Sequence, residues 1–165
     1  MATQMFVKFT GPDVAGDAAN ATHAGEIEIM SWSHGFSQPT SPIRSSAGGG
    51  TVERANHADL TFSKRLDLAS VLLMKNCWAG AHHDEVLVSC YRASETGEVK
   101  YLEVSMKDVV ISNVSISAGS GDVPYETYSL AYGEVTYTYT DQAEDAGSAG
   151  GNTVASHNLK TDAIA

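Results

Sequence analysis

Cysteine is scarce in this chain: Cys77 and Cys90 are the only two among 165 residues. Two are too few for a disulfide scaffold, and they read as buried free thiols. Basic residues are also short, 10 against 20 acidic ones, for a formal net charge of −10. That balance argues against binding nucleic acid through its phosphates and against docking on an anionic membrane surface. There is no apolar run of transmembrane length, so no membrane insertion is expected. The N-terminus MATQMFVKFTG lacks a charged region ahead of a long apolar stretch. No signal peptide is read there, and the chain is expected to begin in the cytoplasm and to leave only by a route without a cleaved signal. Convergent catalytic groups are missing too. His23 stands alone in a small, polar surface loop. Adjacent His82 and His83 point apart unless their turn is special, and the cysteines do not sit at zinc-ligand spacing. Gly48, Gly49 and Gly50 lack the Lys-Ser/Thr that completes a phosphate loop, and a strand follows them. No catalytic residue, metal or cofactor is expected.

What the chain does have is strands and one helix. Residues 60–80, LTFSKRLDLASVLLMKNCWAG, hold the convincing helix signal, with the helix itself at about 68–78. Asp67 is its expected N-cap, Ser70 falls at the third helical position, and Gly80 can close it in a left-handed conformation. Leu68, Ala69, Val71, Leu72, Leu73, Met74, Cys77 and Trp78 spread around most of its circumference. A helix apolar nearly all round needs cover on two sides. One sheet supplies one side. The other falls to a long loop or to another subunit.

The β pattern begins with MFVKFT and ends at Gly11-Pro12. EIEIMSWSHGF at 26–36 switches parity: Ile27 and Ile29 share one face, then Met30, Trp32, His34 and Phe36 take the other. The switch predicts a bulge or twist near Ile29–Met30, so the strand starts in one core and ends against another surface. Ser31 and Ser33 alternate with the bulky residues and should face water. His34, beside Trp and Phe, reads as a packed, hydrogen-bonded residue. SQPTSPIRSSAGGG at 37–50 is a long contact-making arm, since loops of this length are uncommon inside compact domains. The rest alternates as half-buried strands at 86–92, 99–107 and 109–117. A final meander follows at 125–140, interrupted at Gly133, with AHHDE at 81–85 as a solvated turn. The expected fold is mainly β, a two-sheet barrel or sandwich with one lateral helix. Residues 1–140 form its domain; 141–165 read as a Gly/Ala-rich linker and a possible short closing strand.

Four segments together, THAGEIEIMSWSHGFSQ, the Gly-rich loop, ADLTFSKRLDLASVLLMKNCWAGAHHDEVLVSCYR and VKYLEVSMKDVVISNVS, resemble the Hcp family of bacterial type VI secretion. The likeness runs in order over residues 5–140. His34 stands where an aromatic is common, and His157–Asn158 where an aromatic–Asp/Asn pair is expected. The resemblance implies a homohexameric ring that stacks into a tube carrying the spike protein VgrG inside contractile sheath proteins. The resemblance also implies that small effector proteins ride in the lumen as cargo and that contraction ejects the tube.

Read on that frame, Val71, Leu72 and Trp78 are expected at the subunit contact, and Ser31 and Ser33 at the lumen and its cargo. The arm residues Arg44, Ser45, Ser46, Gly48, Gly49 and Gly50, with Arg54 just beyond, are expected to make ring-on-ring contacts, the two arginines offsetting repulsion between acidic rings. Two rival classes are a carbohydrate-binding sandwich stacking sugars on Trp32 and the tyrosines, and a metal-dependent hydrolase using His82, His83 and Asp84.

Overall fold

The structure is a computed structural model that describes residues 3–40, 53–94, 97–142 and 149–165. β1 (Thr3–Thr10) pairs antiparallel with β2 (Ile27–Glu28) on one side, Val7 opposite Ile27. β3 (Ser31–Ser33), β4 (Phe36–Ser37), β5 (Asn56–His57) and β6 (Leu60–Arg65) follow. Helix α1 (Ser70–Ala79) leads into the long hairpin of β7 (His82–Ser94) and β8 (Gly97–Ser117). β9 (Tyr125–Ala131) and β10 (Glu134–Gln142) come next. β11 (Ala149–Asn158) and β12 (Ala163–Ile164) complete the order.

β8 organises the sheet. Its first half lies between β7 and β10, with Val104 opposite Val88 on one side and Tyr137 on the other. Its second half pairs with β9, Ile111 opposite Leu130. From there β9 continues to β6 and β6 to β3, while β7 continues to β1 and β2. The named ladders do not close a ring, so the molecule is a sandwich-like β fold.

Residues 27–33 span the two arms of this branched sheet. Ile27 pairs with β1, then the chain crosses over: Ile29 N–H donates to Met5 O at 3.0 Å and Met30 N–H to Ser63 O at 2.8 Å. Ser31 next pairs with Ser63 on β6. The parity switch at Ile29–Met30 is therefore a change of pairing partner. Ile27 and Ile29 are buried in the core with Val7, Phe9, Phe62, Leu73 and Val88, while Trp32 packs half-buried against it.

Several local readings change. His82 and His83 open strand β7 rather than a solvated turn, and His83 is fully buried. His23 is buried too: its ring stacks on Phe6 at 4.2 Å, with Nδ1 3.1 Å from a Glu26 oxygen and Nε2 3.4 Å from Glu98. The two strands read at 99–107 and 109–117 are the single β8, which turns through Asp108 at φ 53°. The tail contributes β11 along the full length of β10, Val135 opposite His157 and Tyr139 opposite Thr153. Cys90 is buried and Cys77 half-buried, both as free thiols. Burial pushes the Cys90 thiol up, against hydrogen bonds from Trp32 and Tyr101 that pull it down.

Candidate functional site

The outward surface is decided at the start of α1. Asp67 Oδ1 accepts the Ala69 N–H at 3.0 Å, and the Asp67 N–H donates to Ser70 Oγ at 2.9 Å. Ala69 itself has helical dihedrals, φ −75° and ψ −20°, so Asp67 is the residue that caps and Ser70 returns the bond three places on. Below this cap lies a buried charge cluster. Lys64 Nζ stands 2.6 Å from Asp67 Oδ1, 2.8 Å from Ser70 Oγ and 2.8 Å from Glu126 Oε2. Glu126 Oε2 also accepts from Tyr128 Oη at 2.9 Å.

Because Ser70 is held down by this cluster, the residues that follow it around the helix are assigned their sides. Leu73 drops into the core, and Asn76 lies beneath beside His83 Nε2 at 3.3 Å. His83 Nδ1–H donates to Pro12 O at 2.9 Å, and burial holds its pKa below the usual imidazole value, opposed by that bond and by Asp84. Gly80, φ 60°, ends the helix, and the Ala81 N–H reaches Asn76 O at 2.9 Å. The opposite face is left apolar and open: Leu68 is 70% exposed, Val71 71%, Leu72 39% and Trp78 81%. Their spacing places them on one side of the helix. Leu66, Ile116, Val123 and Tyr125 are also exposed at the sheet end joined by the Leu66 N–H to Pro124 O bond. The core side of α1 thus carries Ser70 and Asn76 beside Leu73, and its open side carries Val71, Leu72 and Trp78 around the exposed Lys75.

A second surface lies across β3, β6, β9 and β8. Ser33 faces Thr61, Thr61 faces Ser129 and Ser129 faces Asn113. One step along, Ser31, Ser63, Thr127 and Ser115 run in the same way. Residues directly opposite share a face, so these rows form an uncharged hydroxyl and amide sheet surface. Ser31 and Ser33 are exposed at its edge, as alternation predicts. The other members escaped sequence reasoning. Each strand does alternate small polar with bulky residues, but only pairing shows that the polar parities line up.

The third region is the base of the arm. β4 pairs with β5, Phe36 opposite His57, and Gln38 donates to the Glu53 carbonyl. Arg54 Nε lies 3.3 Å from Asp162 Oδ1, so this cation is paired within the chain. Arg44, Ser45, Ser46, Gly48, Gly49 and Gly50 lie outside the described residues.

A protein-family model described as "Type VI secretion system effector, Hcp" matches residues 6–139. The chain belongs to the Hcp family. It is 32% identical over 152 residues to protein hcp1 of Pseudomonas aeruginosa, covering 92% of this chain and 91% of that one. Hcp1 from Salmonella typhimurium superposes with a TM-score of 0.79 at 26% identity, each chain covered to 100%. A structure described as a type six secretion system protein gives a TM-score of 0.89 at 24% identity, covering 99% of this chain and 100% of that chain, a likeness of fold.

The structure places the residues of the two rival readings as follows. Trp32 is half-buried against the core and Tyr128 is fully buried, whereas Tyr125 and Tyr139 are exposed. His83 points inward to Pro12 O and His82 outward to Asp108 Oδ1 at 2.9 Å, which separates the proposed hydrolase ligands. Among the described residues no group of three or more His, Cys, Asp or Glu side chains could hold a metal ion. No helix among them is long and apolar enough to cross a membrane.

Proposed function

We propose that this Hcp-family chain is a non-enzymatic tube subunit, assembling as a homohexameric ring whose copies stack into the ejected inner tube of a type VI secretion system. The observation that carries the reading is the open apolar face of α1, Leu68, Val71, Leu72 and Trp78. Covering such a face with a second copy removes it from water at about 25 cal/mol for each Å² buried. A closed ring of identical chains covers every such face and leaves none exposed. In that ring, Ser31 and Ser33 head the hydroxyl surface facing the lumen, where small effector proteins bind as cargo. An uncharged surface of short hydroxyls suits varied cargo because it offers hydrogen bonds in both senses and imposes no charge preference. The spike protein VgrG and the contractile sheath proteins are the further partners, and the tube leaves the cell without a cleaved signal.

The test is the mass of the purified protein by multi-angle light scattering. A hexamer supports the reading, and a folded monomer at micromolar concentration overturns it.

A further inference from the structure

A chain of side-chain hydrogen bonds ties the β4–β5 stub to β10 and β11. It runs from Tyr137 through His34, Tyr132, His57 and His157 to Asp162. His34 Nδ1 lies 2.6 Å from Tyr137 Oη, and His34 Nε2 lies 2.7 Å from Tyr132 Oη and 3.1 Å from Ala58 O. His57 Nδ1 lies 2.8 Å from Tyr132 Oη, and its Nε2 2.8 Å from His157 Nδ1. His157 Nε2 lies 3.0 Å from Asp162 Oδ1.

The two ends of this chain determine every proton within it. The Ala58 carbonyl can only accept, so His34 carries its hydrogen on Nε2, shares it with Tyr132 Oη, and takes the Tyr137 hydroxyl hydrogen on Nδ1. The Asp162 carboxylate can only accept, so His157 carries its hydrogen on Nε2. Its bare Nδ1 then accepts from His57 Nε2–H, and the bare His57 Nδ1 accepts from the Tyr132 hydroxyl. With one hydrogen on each imidazole, every contact in the chain pairs a donor with an acceptor. A further proton on His57 or His157 ends this arrangement. Either way the Tyr132 hydroxyl loses the nitrogen it donates to, and His34 Nε2 already bears a hydrogen. A second proton sets two imidazolium rings side by side with centroids 4.8 Å apart.

We propose that the hydrogen-bonded chain through His34, His57 and His157 is an acid-released clasp, which fastens the β4–β5 stub to β10 and β11 at neutral pH and lets it go as His34 and His57 protonate. Phe36 is the packing element that the clasp holds: its ring lies 4.4 Å from His34, 4.8 Å from His57 and 5.9 Å from Tyr137. The charged groups facing the chain divide in sign. The His157 imidazole and Arg54 oppose a proton on His57, the His57 imidazole opposes one on His34 while Asp59 favours it, and Asp162 contacts His157. Burial dominates at both His34 and His57 and holds each pKa below the usual imidazole value. Burial also raises both phenols, Tyr137 to about 12, so neither loses its proton as the histidines titrate.

The sign of the linkage follows. A neutral folded histidine with a lowered pKa costs nothing above the unfolded value of about 6.5. As pH falls below that value the unfolded or released chain binds the proton first, so the clasp weakens until pH passes the folded pKa.

The test is an NMR titration of the intact protein from pH 7.5 to 5. His57 is expected to titrate below about 6.5. Over the same range, amide protection at Ala58, whose N–H bonds Gly35 O, should fall by about tenfold after correction for intrinsic exchange. His57→Gln keeps a donor and an acceptor but cannot titrate, and should flatten the fall; His82→Gln, at the exposed Asp108 pair, should leave it unchanged. A His57 ring titrating at or above the free value, or protection at Ala58 unchanged with pH in the wild type, overturns the clasp. These readouts need no variant to fold and do not depend on ring assembly, so they stand apart from the proposed tube function.

Discussion

Lys64 and Glu126 are both fully buried, a charge pair at 2.8 Å inside a β domain. Removing one partner strands the other charge in the core, which costs about 3–5 kcal/mol. Lys64→Met should therefore lower the urea-unfolding free energy by about that amount, whereas Lys64→Met with Glu126→Leu should recover most of it. Equal losses in the single and double variants would show that the pair does not act as a unit. Lys64 carries a second consequence, because it fixes Ser70 and thus which side of α1 faces out. Ser33 tests the other surface. It is exposed and lies across from Thr61. Ser33→Gln should leave the solution mass unchanged and reduce co-purification of a lumenal effector several-fold. Unchanged retention across several effectors would remove Ser33 from the cargo surface.

At the scale of elements, α1 does not segregate polar from apolar residues as an amphipathic helix does: Leu73 lies inward and Lys75 outward. Its inward side holds Ser70, Leu73 and Asn76 and its outward side Val71, Leu72 and Trp78. A carboxylate at Leu72 should leave the monomer folded, since the side chain already reaches water, and shift the solution mass from ring to monomer. A hexamer of undiminished stability for Leu72→Asp, by light scattering and thermal melting, would place the subunit contact elsewhere. The absence of a polar stripe in 68–78 made the need for a second cover legible from composition alone. Which residues point out was not legible, because Glu126, which orients Ser70, comes from a strand 56 residues away. The 27–33 crossing was legible from its parity switch. The continuity of β8 through Asp108 was hidden by the change of phase there.

At the scale of the molecule, charge and chain length make the last prediction. In the proposed tube, a ring of six chains at −10 each would repel the ring above and below. Moderate salt shortens the range of that repulsion to about 8–10 Å and should promote stacking, visible as tubes by electron microscopy. Deleting residues 45–49 should keep the ring mass and abolish tubes and secretion; loss of the ring itself would assign the arm to the lateral contact instead. Arg54 already serves Asp162, so its positive charge is partly used at home.

The amino-acid sequence by itself determined the class of the fold, the strand alternation, the single helix with its Asp67 and Gly80 ends, and the family. These are properties of local order: periodicity, turn chemistry and short motifs. Only the tertiary structure decided the hydroxyl surface and the histidine clasp. The hydroxyl rows join positions on four strands by register, and the clasp joins His34, His57, Tyr132, Tyr137 and His157 through space. Each of those residues reads alone as a packed or polar side chain. The rows exist because antiparallel pairing aligns one strand's parity with the next, and the clasp because the β4–β5 ribbon packs on β10 and β11, bringing residues 100 positions apart within hydrogen-bonding distance.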